Sequence, residues 1–184
     1  YDVIGNLAHA KMLHKIGLLT SDEIYNLEVE LNAILKTIEA GTFTIEDSFE
    51  DVHSKVEYIL TEKLGDTGKK IHTARSRNDQ VLVDVHLYLK DALNEINTEV
   101  DELFDLLISL AEQYRNVLLP GYTHLQVAMP SSFGMWFSAY AETLIDDIYF
   151  LKAAYKVADQ NPLGSAAGYG SSFPIDRDET TRLL

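Results

Sequence analysis

"DQVLVDVHLYLKDALNEINTEVDELFDLLISLAEQY", residues 79–114, contains neither proline nor glycine. Its apolar side chains recur at steps of three or four residues, at Val85, Leu89, Ala92, Ile96, Val100, Leu103, Leu107, Leu110 and Tyr114. This heptad rhythm is typical of helices that pack nearly parallel over many turns. At about 1.5 Å per residue, the stretch predicts a helical rod about 54 Å long.

A second stretch repeats the rhythm from near Ser131 to Tyr155. Between the two lies "LPGYTHLQVAMP", residues 119–130, in which Pro120 and Gly121 favour the end of the first rod and a turn. We therefore predict that the two rods form an antiparallel pair within a bundle.

The two rods present more apolar surface than the rest of the chain is expected to cover. A heptad stripe without a partner in its own chain implies partners from other copies, so we expect a homo-oligomer with a helical core. The alternative is a self-contained bundle that is closed by the shorter helices.

Helical periodicity also dominates the N-terminal part, and strand alternation is nearly absent, so we predict an all-α fold. Thr20 or Ser21 is a plausible N-cap of a helix that stops at Gly41. Ser48 is available to cap a further helix that ends at Gly65.

The last part of the chain, after residue 160, is rich in Gly and Ser. "GSAAGYG", residues 164–170, lacks the features of a phosphate-binding loop, and we interpret it as a flexible joint. A new helix is expected to begin near Asp176 or Arg177.

The composition excludes several function classes. Without cysteine, the chain has no disulfide and no thiolate metal site, which suits a reducing compartment, and we expect a cytoplasmic protein. The formal net charge of −14 argues against nucleic-acid binding, which needs clustered Lys and Arg. No apolar run is long enough to predict a membrane span.

Glu50 and His53 form Glu-x-x-His, a spacing that places two ligands on one helix face in di-iron bundles. Such sites need a second copy of the motif, which the sequence lacks, and the zinc pattern His-Glu-x-x-His is also missing. We therefore predict no metal site.

"HTARSRNDQ", residues 72–80, combines two guanidinium groups, small hydroxyls and an amide just before the first rod. Backbone N–H groups at a helix start favour an anion, and Arg side chains suit planar carboxylates. The alternative is a capping segment, with Ser76 or Asn78 as the N-cap and with Arg75 and Arg77 in surface ion pairs.

His124 is the only histidine in the second half of the chain and follows the predicted Pro-Gly turn. Its proton moves readily near neutral pH, and the neighbouring Thr123 can hydrogen-bond a carboxylate. The alternative is a partly buried histidine that caps a helix.

Five blocks together resemble the argininosuccinate lyases, over essentially the whole chain and in the same order and at the same separations. They are "EDVH" (50–53), "HTARSRNDQV" (72–81), "LPGYTHLQ" (119–126), "PLGSAAG" (162–168) and "PIDRD" (174–178). The lens δ-crystallins belong to the same family and are similar in these blocks.

The resemblance implies a long-helix bundle of the fumarase and aspartase type. Residues 1–74 would form a small N-terminal helical domain, and residues 75–184 the first part of the central bundle domain. The family members are homotetramers, with each active site assembled from three subunits. They cleave argininosuccinate to arginine and fumarate, in arginine biosynthesis, without a metal or organic cofactor.

The resemblance also assigns roles to residues. His124 would take part in proton transfer, with Thr123 beside it. The substrate-binding positions would be Asn6, Ser76, Arg77, Asn78, Thr123 and Gln126. Supporting structural positions would be His53, Arg75 and Asp79. Asn6 stands where many members have Ser, and an amide can still donate to a carboxylate.

The other acid–base group of the family is a Ser on a mobile loop of the type GSSxMPxKxNP. These 184 residues do not contain that pattern, and Ser171 and Ser172 lack its Met-Pro-x-Lys continuation. We therefore expect the 184-residue chain by itself to be inactive.

Two other functions remain open. The first is a different fumarate-releasing lyase of the superfamily, acting for example on adenylosuccinate or a carboxymuconate; the full block at residues 72–80 argues against it, because other branches vary there. The second is a non-enzymatic helical protein that uses the same scaffold, in the manner of the inactive crystallins.

Overall fold

A computed structural model describes all residues 1–184 and is mostly helical. The seven helices are α1 (Asp2–Lys15), α2 (Ser21–Glu39), α3 (Val52–Leu64), α4 (Asp66–Lys69), α5 (Arg77–Gln113), α6 (Phe133–Ala158) and α7 (Arg177–Leu183). The other regular elements are a 3₁₀ turn (Lys70–His72) and two strands, β1 (Leu118–Thr123) and β2 (Gln126–Ser132). The predicted all-α class is confirmed apart from this one strand pair. None of the helices combines the length and the apolarity that a membrane crossing requires.

The chain divides into two compact units. The first comprises residues 1–88 and 159–184, and the second comprises residues 89–158. Helix α5 contributes to both. These two units are defined by packing within this chain. The domain boundary after residue 74, which refers to the whole subunit of the family, stays a prediction.

The core of the first unit lies where α1, α2 and α3 pack on one another. Leu13, Leu27, Leu31 and Leu60 are completely buried there. Leu27 and Leu31 are four residues apart, so they occupy one face of α2. Each buried leucine contributes about 2 kcal/mol to folding.

Side-chain caps fix where these helices begin. The Thr20 hydroxyl accepts from the Glu23 N–H, and the Glu23 carboxylate accepts from the Thr20 N–H, which confirms the predicted cap. The prediction of Ser48 as a cap was wrong. Helix α3 begins at Val52, and Asp51 caps it by accepting from the Ser54 N–H at 2.7 Å, because an N-cap directly precedes the first helical residue.

In the second unit, α5 and α6 lie side by side and antiparallel. Tyr114, directly after α5, has its ring centroid 6.3 Å from that of Phe137 in α6, whereas Val100 and Phe104 line a groove of about 190 Å³ with Leu144 and Ile148. Lower residue numbers on α5 therefore meet higher numbers on α6. This confirms the predicted antiparallel pair.

The connection between these helices is a β-hairpin, so the predicted Pro-Gly turn was wrong. Pro120 pairs with Pro130 and Thr123 pairs with Gln126, which places the chain reversal at His124 and Leu125. Proline is tolerated here because both strands of a two-stranded ribbon are edge strands.

Much of the predicted apolar stripe is exposed in this chain. Along α5 the only buried residues are Asp79, Gln80 and Val83. Leu89, Ile96 and Leu103 are exposed. Apolar surface of this extent is typical of a protein–protein contact and disfavours a self-contained bundle.

Substitution of Gly68 by Ala is expected to destabilise the α3–α4 junction. A Cβ at this position would lie 2.3 Å from the Leu60 carbonyl oxygen, and backbone cannot move aside as a side chain can. We expect a loss of about 1–3 kcal/mol, as for other overpacked sites, measured by thermal unfolding of the complete natural protein.

Gly5→Ala is the matched control, because its Cβ would meet side chains rather than backbone, Val83 Cγ1 at 3.2 Å and Asp84 Oδ1 at 3.6 Å, and alanine favours the helix. An equal loss in both variants would contradict the steric explanation for Gly68.

Candidate active site

The ten residues assigned from the sequence fall into both units. The first unit holds Asn6, His53, Arg75, Ser76, Arg77, Asn78 and Asp79. The second unit holds Thr123, His124 and Gln126. The candidate site in this chain therefore consists of two separate groups of residues.

The first group centres on the start of α5. Ser76 directly precedes the helix, and its hydroxyl accepts from the Asn78 N–H at 3.3 Å. The Asp79 carboxylate in turn accepts from the Ser76 N–H at 2.9 Å. Ser76 thus acts as the N-cap, which was one of the two predicted candidates, while Asn78 lies inside the helix.

An open cleft of about 510 Å³ lies beside this helix start. Its first wall is formed by α5, through Arg77, Asn78, Val81 and Leu82. Its second wall is the loop 165–168. The Asn78 side chain is exposed, so its amide is available to a ligand in the cleft. Two of the predicted substrate-binding residues therefore share one cleft.

The two arginines of the segment lie in different environments. Arg77 is partly exposed, and its Nε lies 3.3 Å from the Asp51 carboxylate, as the capping alternative predicted. Arg75 was predicted in a surface ion pair, which is wrong, because this side chain is buried. Ala74, which directly precedes Arg75, has a φ of +61°, in the left-handed region.

The buried Arg75 guanidinium is held by neutral partners. Its Nη2 donates to the Asn6 amide oxygen at 2.6 Å and to the Ile71 carbonyl at 2.7 Å. Its Nε and Nη1 are buried without a hydrogen-bond partner. Burial lowers the pKa of Arg75 to about 10, against the opposing effect of the Asp2 and Asp79 carboxylates.

Asn6 is buried, and both ends of its amide are used within the chain. Its Nδ2 donates to Asp2 Oδ2 at 2.9 Å, while its oxygen accepts from Arg75. Its predicted binding role stays a prediction, and its role in this chain is to bridge two buried charges.

Asp2 is the centre of a buried polar cluster that the sequence did not reveal. Its Oδ1 accepts from His53 Nδ1 at 2.7 Å and from Gln80 Nε2 at 3.0 Å. His53 Nδ1 also lies 3.8 Å from Asp84. Asp84 interrupts the apolar run "VLVDVHLY", and a charged residue in such a run is the one signal that could have indicated the cluster.

Asp2, His53 and Asp84 are also the residues that could hold a metal, since their ligand atoms all lie within 4.8 Å of one another. Glu50, the other residue of the Glu-x-x-His motif, is exposed and precedes α3, so this motif does not place two ligands on one helix face.

The second group lies at the tip of the hairpin. Thr123, His124 and Gln126 are all exposed there. His124 and Leu125 form the two-residue turn, with φ values of +52° and +62°. Positive φ at both central residues is the type I′ pattern, which matches the twist of a hairpin and usually contains Asn and Gly. The alternative of a partly buried His that caps a helix is wrong.

Comparison with known proteins identifies relatives along the whole chain. The family model described as "Lyase" matches residues 1–184. The argininosuccinate lyase of Phocaeicola vulgatus is 61% identical over 184 residues, and that of Bacteroides thetaiotaomicron is 58% identical. That of Desulforamulus reducens is 46% identical over 183 residues. The chain spans 40–41% of the length of these curated relatives.

Solved structures with the same fold include an EDDS lyase in complex with formate. It has a TM-score of 0.89 and 27% identity, and the match covers 100% of this chain and 36% of that one. A fumarate lyase/δ-crystallin from Brucella melitensis, bound to cobalt, has a TM-score of 0.81 and covers 99% of this chain and 43% of that one. At 19% identity, this second match shows the fold alone.

Leu125→Gly is expected to stabilise the hairpin by about 1 kcal/mol, because glycine adopts positive φ without the steric cost that leucine incurs. Leu125 is 99% exposed, so few contacts are lost. Leu118→Gly, at an exposed strand position, is the control and should destabilise. Thermal unfolding of both variants measures the difference, and a loss of stability in Leu125→Gly would contradict the strain.

Asp84 is expected to make stability depend on pH. Burial, with the nearby Asp2 carboxylate, raises the pKa of Asp84 from 3.8 to about 7. At a pH between 3.8 and about 7, Asp84 holds a proton in the folded chain that it has released in the unfolded chain. Stability should therefore fall as pH rises through this window, by up to about 1.4 kcal/mol per pH unit, and stay constant above it.

Asp84→Asn, which mimics the protonated acid, should remove this dependence and exceed the parent in stability above the window. The readout is the thermal unfolding midpoint across the pH range, and Asp91→Asn at an exposed position of α5 is the control. Parallel curves for Asp84→Asn and the parent would rule out this assignment.

Proposed function

This chain belongs to the lyase family, and from that premise we propose that the protein that carries it is an argininosuccinate lyase. The reaction is the reversible elimination of argininosuccinate to arginine and fumarate, a step of arginine biosynthesis. The observation that carries the proposal is the 61% identity, over all 184 residues, to a relative of that name. We further propose a cytoplasmic location.

The proposed reaction explains the residue types in the two groups. A proton must leave the carbon next to a carboxylate, which leaves an intermediate with its negative charge concentrated on that carboxylate. Hydrogen-bond donors aimed at the carboxylate stabilise this intermediate more than the substrate. Arg77 and the exposed amide of Asn78 are such donors, with Ser76 holding the helix start beneath them.

His124 would move the proton. An imidazole is the side chain best suited to proton transfer near neutral pH, and the turn leaves the ring open to a substrate. Thr123 and Gln126 pair with each other on either side of the two-residue turn, so all three residues lie at the same end of the hairpin. The proposed elimination needs no metal or organic cofactor.

We also propose that the protein is a homotetramer in which subunits share each active site. Two observations support this arrangement. The apolar stripe of α5 is exposed in the single chain. The candidate residues also fall into two groups in two compact units, so a site that uses both groups can draw each from a different subunit.

Substrate preference tests the function directly. The complete natural protein is incubated with argininosuccinate, with adenylosuccinate and with EDDS, and fumarate release is followed by its ultraviolet absorbance. We expect turnover of argininosuccinate to exceed that of the other two by orders of magnitude. Preference for another compound would indicate a different lyase, and no turnover of any would favour a non-enzymatic scaffold.

His124→Asn is expected to lower kcat by about 10² to 10⁴, because an amide cannot exchange a proton as imidazole does. The helical circular dichroism should stay unchanged, since the side chain is exposed in the chain. Val127→Ala on the same hairpin is the control and should keep most of the activity. Full activity of His124→Asn would mean that the histidine is not the proton-transfer group.

A further inference from the structure

Asp79 is a fully buried carboxylate whose hydrogen bonds reach beyond its own helix. Its Oδ1 accepts from the Ser76 N–H. Its Oδ2 accepts from the Gly164 N–H at 3.1 Å and from the Ala166 N–H at 2.9 Å. Hydrogen bonds to an ionised group are stronger than those between neutral groups. This single side chain joins the start of α5 to a loop more than eighty residues away along the chain.

The loop that Asp79 holds was predicted as a flexible joint, and in the structure it is hydrogen-bonded at several points. The Ser165 carbonyl accepts from the N–H groups of Gly168 and Gly170. Leu163 is buried, and its carbonyl accepts from Arg177 Nε at 3.1 Å. The segment is therefore fixed at its base by Arg177 and near its tip by Asp79.

Ala166 has a φ of +49°, in the left-handed region that a side chain makes costly. The Asp79 carboxylate bonds the N–H of this same residue. The contact therefore stabilises a backbone conformation that alanine adopts only when its surroundings enforce it.

This strained residue is also part of the cleft. Ala166 and its neighbours form the second wall, opposite Arg77 and Asn78 on α5. Asp79 lies in the same helical turn as Arg77 and Asn78, so its hydrogen bonds to the loop fix the distance between the two walls. Removing them would allow Ala166 to relax to negative φ and the second wall to shift.

We propose that Asp79 is a positioning residue that sets the width of the substrate cleft by holding Ala166 in its left-handed conformation. The chemistry of the cleft fits a carboxylate on a short aliphatic chain, since the guanidinium and amide of the first wall adjoin apolar groups of Val81, Leu82 and Ala167. The identification of the cleft with substrate binding rests on the proposed function.

Asp79→Asn in the complete natural protein tests the proposal. The amide has one acceptor oxygen, and its NH₂ group would face N–H donors, so the hydrogen bonds to the loop and to Ser76 cannot all survive. We expect KM for argininosuccinate and the inhibition constant of fumarate to rise about tenfold, with kcat within about twofold of the parent.

Asp176→Asn is the matched control. Asp176 is another carboxylate cap, at the start of α7, where it accepts from the Glu179 N–H and pairs with Lys15. It should leave KM unchanged. A merely structural Asp79 would lower the unfolding temperature and the amount of active enzyme but would also leave KM unchanged, and that result would overturn the proposal.

Ala166→Gly in the Asp79→Asn background provides a rescue. Glycine adopts a φ near +49° without steric cost, so the second wall should return towards its position and KM should fall back by several-fold. Failure of the rescue would mean that Asp79 does not act through Ala166.

Hydrogen–deuterium exchange separates this proposal from the proposed function. Amide exchange in the 163–168 segment should accelerate in Asp79→Asn, whether or not the protein cleaves argininosuccinate. If the parent does not release fumarate, the proposed function fails, and the exchange rates alone decide whether Asp79 holds the loop. Unchanged exchange would overturn the positioning role.

Discussion

The buried carboxylate of Asp2 is the interaction on which the first unit depends. It belongs to α1, and it accepts hydrogen bonds from α3 through His53 and from α5 through Gln80. Burying a charge costs far more than it returns unless every lone pair finds a donor, so these helices can adopt only the arrangement that supplies those donors. The apolar core contributes most of the folding free energy, and the polar cluster determines which helix faces meet.

The same constraint extends to the start of the long helix. Asn6 links Asp2 to the buried Arg75, and Arg75 lies two residues before the first residue of α5. The polar cluster thus holds the chain in place directly before α5 begins. Gln80, which donates to Asp2, also accepts from Arg77 Nη1 at 2.9 Å, so hydrogen bonds run from the buried cluster to the cleft wall.

Whether the sequence reveals an interaction depends on how far apart along the chain its two residues lie. The long helices, their antiparallel pairing and the N-cap at Thr20, one of two candidates, follow from spacings of three or four residues or from one connection, and these were predicted correctly. The Asp2–His53 and Asp79–Ala166 contacts join residues that are 51 and 87 positions apart, and no local pattern reports such a pair. The hairpin was missed for another reason, because its two prolines obscure the strand pattern. The candidate site residues came from the family resemblance, whereas the cleft between α5 and the loop 165–168 required the structure.

The two-residue turn of the hairpin has a consequence for how related sequences can vary. The distance of His124 from the base of the hairpin is set by the number of residues in the paired strands, at about 3.3 Å each. Inserting or deleting a single residue in one strand would rotate the following side chains to the opposite face of the ribbon. The register already shifts once, between Pro120 and Tyr122. Side-chain identity along β1 and β2 can therefore vary, while the segment between that irregularity and the turn should keep its length in natural variants of this protein.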